Sequence, residues 1–416
     1  MSHPASPSAP PATTLRTDAQ LIGLVGLAHA ISHFSQLILA PLFPWLKDAF
    51  DVSYTELGAV LTVFFVVSCI VQAASGFIVD KLGPRPVLFV GLGLLGLAGF
   101  GYAMAQNYWM LLASAAVAGV GNGVFHPVDY TLFNRKVAPT RLGHAYSVHG
   151  ITGSLGWALA PAFVVPIAMA YSWRVAMASA GALALAVLAV LWLYRHVFTL
   201  DVKAVQKATG QGGAASAGQF DFLRIPAVWM CFGFFFFYAM VISVVQTFAP
   251  VAAGHLHAVP LALVAMCLTI YMGAGAAGMV LGGFLASDPS RCERIVGAGF
   301  GIAAALALVL AFADFAPVLV PVLFGAMGFA SGIAGPSRDL LVKKSTPANA
   351  TGRVYGVVYA GLDIGQAVAP LIFGRLMDNG RYTAVILGLA VVQGVLIASA
   401  FNVRRVRREA FVPASA

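Results

Sequence analysis

Ten polar or ionisable residues interrupt the long apolar stretches of this chain, and their types could bind a solute or carry a proton. They are His29, His33, Gln36, Asn122, His126, Asp129, His149, Gln246, Arg338 and Asp363. Such groups are costly inside a membrane, where they face a bundle interior or a watery cavity and mark substrate and proton pathways. Histidine also changes its charge near neutral pH. We therefore expect these ten residues to include the groups that bind a solute and couple its movement to protons.

His29 and His33 lie four positions apart and share one face of a helix. The pair could contact a solute or carry a proton, or it could be a neutral, hydrogen-bonded pair in a helix contact. Two histidines at this spacing can also hold a metal ion if a third ligand arrives from another helix. We expect no metal ion and no other cofactor here. The expected coupling ion is the proton, with sodium as the alternative.

Asn122, His126 and Asp129 follow one another at spacings of four and three, which places them on one helix face. Pro127 cannot donate to the hydrogen-bond ladder of the helix and should kink it. Kinked helices beside a cavity are where transporters bind substrate, so His126 and Asp129 are candidates for proton or substrate coupling. The alternative is that Asp129 is a structural carboxylate held by a nearby cation. The nearby cations are Arg135, Lys136 and Arg141.

Four further candidates stand in other apolar stretches. Arg338 suits an anion, because its planar fork matches a carboxylate, phosphonate or phosphate, although the adjacent Asp339 could neutralise it. Asp363 is a candidate for substrate or proton coupling, or a structural partner of Arg338. Gln246 is the strong polar group deep in its apolar stretch, and His149 lies just inside the fifth stretch.

The composition places the chain in the membrane class, since 60% of its residues are hydrophobic, 9% are charged and the mean hydropathy is +0.88. A helical span needs ~20 mostly apolar residues. A backbone in lipid must satisfy its own hydrogen bonds, and no alternating pattern suggests a barrel, so we predict an all-α membrane protein. Twelve spans are predicted near residues 19–43, 54–79, 86–105, 108–132, 145–170, 174–196, 227–252, 260–286, 295–313, 316–338, 354–376 and 382–402.

The net charge of +9 reflects membrane topology and predicts no nucleic-acid partner. Most of the 24 Lys and Arg fall on one side of the predicted spans, and the positive-inside rule makes that side the cytoplasm. We predict a multi-pass monomer in the cell inner membrane with both termini in the cytoplasm. Its expected partners are the lipid bilayer and a small-molecule substrate. The four cysteines have no metal-type spacing and are predicted to be structural thiols.

An internal duplication divides the chain into two halves. The Gly and Pro pattern between Gly119 and Pro161 recurs 209 residues later, between Gly328 and Pro370, without a gap. Five parts are therefore predicted. They are a disordered cytoplasmic N-terminus at 1–18, a six-helix bundle at 19–196, a flexible cytoplasmic linker at 197–225, a second six-helix bundle at 226–403 and a basic cytoplasmic tail at 404–416.

The turn after the second predicted span carries a motif formed by Gly76, Asp80, Lys81, Gly83 and Arg85. These residues match the pattern Gly-x-x-x-Asp-(Arg/Lys)-x-Gly-x-(Arg/Lys), and with twelve spans and a duplication the chain resembles the major facilitator superfamily. The glycines should allow a tight turn and close helix approach. The charges should form a cluster that breaks and reforms as the halves rock. The second copy, at 283–294, is degenerate.

The Phe125-His126-Pro127 sequence and the Gly-rich run from Gly143 to Pro161 resemble the fosmidomycin-resistance type of exporter within that superfamily, mainly in the first half. The small residues of the run also suit tight helix packing. The resemblance implies alternating access in a bundle of two pseudo-symmetric six-helix halves, with helices 1, 4, 5, 7, 10 and 11 lining the cavity. It also implies proton-driven antiport that exports a drug-like or anionic compound.

Two alternatives differ in direction or class. The first is proton symport that takes up an organic anion such as a carboxylate, with Arg338 as the anchor. The second is a membrane sensor without flux, which is disfavoured because the linker and tails offer no output domain. We do not expect an enzyme, because the polar groups are spread over separate spans and form no paired catalytic constellation.

Overall fold

The structure, a computed structural model of the chain, describes residues 14–200, 226–285, 291–345 and 351–410. Within these ranges every regular element is a helix, which confirms the predicted all-α class. Most of the predicted 197–225 linker and Asp288 of the second motif copy lie outside the described residues.

In the described ranges, twelve long helices correspond to the twelve predicted spans, and we label them α1 to α12. They are α1 Leu15–Gln36, α2 Tyr54–Leu82, α3 Pro84–Met104, α4 with the two segments Tyr108–Asn122 and Phe125–Lys136, α5 Leu142–Ala170, α6 Trp173–Leu193, α7 Pro226–Thr247, α8 Leu261–Leu285, α9 Cys292–Phe312, α10 Leu319–Ser345, α11 Thr351–Asp378 and α12 Tyr382–Ala410. Eleven helices in the described ranges are long and apolar enough to cross a membrane. The twelfth is α11, which has 28 residues and includes the charged Asp363 and Arg375.

The first helix begins earlier than predicted, at Leu15. Thr14 caps it by accepting a hydrogen bond from the amide of Thr17. Asp18, which is buried, pairs with Arg141 at 2.7 Å. Residues 14–18 thus belong to the first bundle. The local composition could not show this, because Arg141, the partner of Asp18, lies far along the chain.

The last helix ends later than predicted, at Ala410. It continues through the arginines at 404–408 that were assigned to a tail. Arginine is a good helix former, and no Gly or Pro occurs between the predicted end of the bundle and Pro413. The change from apolar to basic residues therefore marks a change of environment and not the end of the helix.

The duplication is visible in the helix boundaries. Helices α5 and α11 begin at Leu142 and Thr351, and helices α6 and α12 begin at Trp173 and Tyr382. The members of each pair are separated by the same 209 positions as the repeated sequence pattern. The two halves are therefore built on one plan.

Helix α4 is interrupted at Gly123 and Val124, which confirms the predicted distortion around Pro127. Proline has no amide hydrogen, so the Gly123 carbonyl four residues earlier has no helical donor. The hydroxyl of Ser75 on α2 donates to this carbonyl at 3.3 Å. The equivalent helix α10 runs unbroken through Pro336, so the halves differ at this point.

The two halves contact each other at the end of the bundle opposite to the N-terminus. Asp378 at the end of α11 accepts hydrogen bonds from the backbone amides of Tyr54 and Thr55 at 2.6 and 2.9 Å, and from the Thr55 hydroxyl at 2.5 Å. Further along the same helices, Thr62 donates to the carbonyl of Ala367 at 2.6 Å. These contacts join α2 of the first half to α11 of the second.

Candidate functional site

Three helices of the first half bring a buried carboxylate and two histidines into contact. Asp129 on α4 is fully shielded from solvent. Its Oδ2 atom lies 3.0 Å from Nε2 of His149 on α5 and 3.1 Å from Nδ1 of His29 on α1. These distances make Asp129 the centre of the polar residues in this half.

Two more imidazole rings surround the same place. The ring of His29 stacks on that of His149 with centroids 3.5 Å apart, and it lies 4.4 Å from the ring of His33 and 5.2 Å from that of His126. The structure thus gathers the four histidines that the sequence indicated as candidates in the first half. We call this group the histidine cluster. Its members are His29, His33, His126, His149 and Asp129.

Two glycines of α5 make room for the cluster. A Cβ atom at Gly153 would lie 2.9 Å from Nδ1 of His33 and 3.1 Å from Nε2 of His29. A Cβ atom at Gly156 would overlap the carbonyl of Ala30 on α1. Tight packing of α5 on α1, predicted from these small residues, is confirmed.

Several atoms of the cluster have no hydrogen-bond partner in the part of the chain that the structure describes. They are Nδ1 of His29, His33 and His126, and Oδ1 of Asp129. His29 Nδ1 stands close to Asp129 without hydrogen-bond geometry. Buried polar atoms are nearly always hydrogen-bonded. Part of the cluster's hydrogen-bonding capacity is therefore unfilled among the described residues.

Two of the three cations that could have held Asp129 have other partners, and the third, Arg135, is exposed whereas Asp129 is buried. Arg141 pairs with Asp18 at 2.7 Å. Lys136 donates to the carbonyls of Val197 and Thr199 at 2.6 and 3.0 Å. The neighbours of Asp129 are instead histidines from α1 and α5, so the interpretation of Asp129 as a carboxylate capped by a basic residue of its own region is wrong. Spacing along the chain could not show which helices surround α4.

Asn122 lies in a hydrogen-bond network that joins four helices. Its Oδ1 accepts from Ser32 Oγ at 2.7 Å and from Gln36 Nε2 at 3.1 Å, and its Nδ2 donates to Ser68 Oγ at 2.8 Å. Gln36 in turn accepts from the indole of Trp157 at 3.0 Å. Sequence reasoning missed Ser32, Ser68 and Trp157, although Ser32 shares a helix face with Gln36 four positions later.

The second half holds Arg338 against aromatic rings. Its guanidinium carbon lies 4.3 Å from the ring centroid of Tyr238 on α7 and 5.7 Å from that of Phe235. The arginine is half-buried on α10. A guanidinium over an aromatic face is stabilised by the ring quadrupole. Aromatic residues of α7 thus position the arginine. The sequence alone did not indicate this role for them.

Gln246 belongs neither to the histidine cluster nor to the surroundings of Arg338. It lies near the end of α7, where it lines a small pocket with Trp45 and Thr247. Among the described residues its Nε2 has no hydrogen-bond partner. The structure therefore places Gln246 beside the contact between the halves and away from the histidine cluster.

Asp363 on α11 connects the two halves. Its Oδ2 accepts a hydrogen bond from Nε2 of Gln72 on α2 at 3.2 Å, and the thiol of Cys69 lies beside the same carboxyl group. Neither partner was predicted as a site residue. Cys69 and Gln72 share a helix face at a spacing of three, but nothing in the sequence shows what that face meets.

The predicted loop motif spans the last turns of α2, the turn at Gly83 and the start of α3, at the end of the bundle that carries the N-terminus. Gly83 has a φ of 82° and forms the turn into α3, as predicted. Asp80 lines a recess together with Arg135 of α4. Lys81 and Arg85 are exposed, and the Arg85 guanidinium donates to Thr199 at 3.3 Å.

Gly76 does not play the packing role that was predicted for it. A Cβ atom at this position would meet no described atom within 4 Å. The face of α2 that carries Gly76 is therefore not packed closely, at this position, against any described part of the chain. The close approach of α2 to the other half occurs nearer its beginning, where a Cβ at Gly58 would lie 2.7 Å from the carbonyl of Pro370.

The chain is similar to known membrane transporters in sequence and in structure. The family model of the Major Facilitator Superfamily matches residues 25–370. The chain is 27% identical over 177 residues to the fosmidomycin resistance protein of Escherichia coli, which covers 41% of each chain. It is 21% identical over 410 residues to a protein of Cupriavidus necator named as a probable sulfoacetate transporter, which covers 92% of this chain and 94% of that one. A solved bacterial homologue of the human lysosomal transporter Spinster, in an inward-facing and occupied conformation, shares the fold with a TM-score of 0.75 and 14% identity over 97% of this chain and 100% of that one.

Proposed function

Because the chain belongs to the Major Facilitator Superfamily, whose members are transporters, we propose that it is a proton antiporter that exports an anionic or drug-like organic compound. The proposal includes alternating access across the inner membrane, cytoplasmic termini and the proton as coupling ion. It assigns substrate contact to the second half and proton coupling to the boundary between the halves.

The observation that carries proton coupling is the position of Asp363. This carboxyl group lies within α11 and accepts a hydrogen bond across the boundary between the halves, from Gln72 on α2. A charged carboxylate is costly away from water, and protonation removes that cost. When α2 and α11 separate, water can reach Asp363, and when they close, water is excluded. Proton binding and release at this residue would therefore follow the opening and closing of the transporter.

Arg338 supports an anionic substrate. Its guanidinium carries a permanent charge and donates in a planar fork that matches a carboxylate or phosphonate. Tyr238 and Phe235 hold one side of it. The histidine cluster is a poorer anion site, because Asp129 at its centre would repel a second negative charge.

Uptake of an organic anion by proton symport is the second candidate. The sulfoacetate transporter, whose name specifies an organic anion, matches the chain over 92% of its length, whereas the fosmidomycin resistance protein matches over 41%. The longer match favours a small carboxylate as substrate. Both candidates use the same residues, and they differ in the direction in which the proton and the substrate move.

A proton-flux assay on purified protein in liposomes separates the two candidates. The vesicle lumen is made acidic and contains a pH dye, and sulfoacetate, sugar acids, fosmidomycin and a cationic drug are added outside in turn. Substrate entry that alkalinises the lumen supports antiport. Substrate entry that acidifies it replaces export by symport. Net substrate entry without any pH change would refute proton coupling.

The Asp363→Asn variant tests the residue to which coupling is assigned. We expect it to exchange substrate between the two sides but to lose the pH response, because an amide cannot bind and release a proton in this range. Asp314→Asn is the matched control, since Asp314 is an exposed carboxylate between α9 and α10. Full coupling in Asp363→Asn would move the proton site elsewhere.

A further inference from the structure

We propose that His29, His126, His149 and Asp129 form a binding site for one transition-metal dication of the zinc type, inside the first six-helix half. The proposal concerns binding and stands independently of the transport function. It replaces the expectation that the chain holds no metal ion, and it supplies the further ligands that the spacing of His29 and His33 alone did not offer.

The first argument is the convergence of ligands from three helices. His29 comes from α1, His126 from α4 and His149 from α5, and one ligand atom of each lies within 4.8 Å of the others. His33, which shares a helix face with His29, is not a member of this group of three. The third ligand that a metal requires is supplied by helices that are distant in sequence.

The second argument is the fourth ligand. Asp129 Oδ2 lies 3.0 Å from Nε2 of His149 and 3.1 Å from Nδ1 of His29. Protein zinc sites are built from four ligands in a tetrahedron, with Zn–N distances of about 2.0–2.1 Å, which separates the ligand atoms by about 3.4 Å. Two of the distances in the cluster are already near this value. Rotation of the half-buried His126 ring toward Asp129 would complete the tetrahedron.

The third argument is the set of buried polar atoms without partners. Nδ1 of His29, Nδ1 of His126 and Oδ1 of Asp129 have no hydrogen bond among the described residues. Each such atom costs free energy in a dry interior. A bound dication would interact with the nitrogen lone pairs and the carboxylate together. The negative charge of Asp129 would offset part of the positive charge of the ion.

The ligand types select the class of ion. Imidazole nitrogens suit zinc, cobalt, nickel and copper, whereas magnesium and calcium prefer oxygen ligands. An anion is disfavoured by the carboxylate at the centre. Among the ligands His126 is half-buried and the other three are buried. The ion would therefore enter on the side of His126, where the ring of Tyr130 stacks at 5.9 Å.

Calorimetric titration of Zn²⁺ into full-length protein tests the site. The protein is purified in detergent, treated with chelator and freed of any histidine tag. We expect one Zn²⁺ per chain and no binding of Mg²⁺. His149→Gln should weaken the affinity by at least about tenfold, because loss of even an outer partner of a metal ligand has an effect of that size. His255→Gln is the control, since His255 stacks on Tyr382 and lies outside the cluster.

X-ray absorption of the zinc-loaded wild-type protein gives an answer that requires no variant. We expect three imidazole nitrogens and one oxygen at about 2.0–2.1 Å. Absence of stoichiometric Zn²⁺ binding would overturn the proposal, as would fewer than three imidazoles around the ion. Equal affinity in wild type and a folded His149→Gln variant would place the ion elsewhere and overturn it as well. None of these outcomes depends on proton flux, so the site and the transport proposal are tested separately.

Discussion

Asp129 lies within 3.1 Å of two histidine nitrogens that belong to other helices. The side chains with chemical capacity are divided between the halves. The first half holds the histidine cluster, which suits a cation. The second half holds Arg338, which suits an anion. Asp363 stands between them, on the boundary. If both proposals hold, substrate contact and metal binding lie in different halves of one apolar bundle.

Substitution of Arg338 tests its role as an anion anchor. Arg338→Gln should weaken the binding of an organic anion by about 1.5–3 kcal/mol, because a charge-assisted hydrogen bond is lost. The apparent affinity should therefore fall roughly tenfold or more. The apparent affinities of sulfoacetate and of a neutral compound should be compared in the liposome assay. Arg381→Gln, at an exposed arginine, is the control. An equal loss for the neutral compound would argue against direct contact with the anion.

At the level of helices, small residues and proline decide how the polar groups are presented. Gly153 leaves space for two imidazole rings, and Gly156 brings α5 against α1. Pro127 leaves the Gly123 carbonyl without a helical donor, and Ser75 of α2 supplies one. The interruption of α4 is therefore tied to the neighbouring helix. Asn122 lies directly before it, and His126 and Asp129 follow it.

The contact of α1 with α5 can be tested at one glycine. Gly156→Ala should destabilise the first half by about 1–3 kcal/mol, because its methyl group would overlap the carbonyl of Ala30 and backbone cannot move aside easily. Thermal unfolding in detergent measures the change. Gly150→Ala on the same helix is the matched control, since a Cβ there meets no described atom within 4 Å. Equal melting temperatures for the two variants would mean that the helices are not packed as closely as described.

At the scale of the whole molecule, the two halves meet at the end opposite to the N-terminus. There a carboxylate of one half caps a helix of the other. The first amides of a helix have no partner within it. At the start of α2, Ser53 accepts from the Glu56 amide and Asp378 of α11 accepts from the amides of Tyr54 and Thr55. This arrangement holds only while the halves are together, so it favours the conformation that is closed at this end.

Removal of that carboxylate should shift the conformational equilibrium. Loss of a helix-capping carboxylate costs about 0.5–2 kcal/mol, so Asp378→Ala should lower the ratio of closed to open molecules at this end roughly 2- to 30-fold. Distances between spin labels at positions 106 and 314, which are exposed in the two halves, would report the opening. Asp48→Ala is the control for loss of a nearby exposed carboxylate. An unchanged distance distribution in Asp378→Ala would show that other contacts hold this end.

The sequence by itself determined the elements of this protein and their order. Hydropathy marks the spans, because ~20 apolar residues must cover the membrane core. The Gly and Pro pattern reveals the duplication, and Pro127 indicates a distortion because the missing amide hydrogen is a local property. Periodicity also showed which polar residues share a helix face. The same local rules misplaced the start of α1 and the end of α12. Asp18 pairs with the distant Arg141, and basic residues do not stop a helix.

Only the tertiary structure decided which faces meet. Nothing in the spacing of Asp129 shows that His29 and His149 surround it, or that Asp363 meets Gln72 of the other half. Nor could spacing show that ligand atoms of His29, His126 and His149 lie within 4.8 Å of one another. The reason is geometric. The rotation of each helix about its axis is set by packing against several neighbours at once, at glycines such as Gly153 and Gly156, and that information is distributed over the whole bundle.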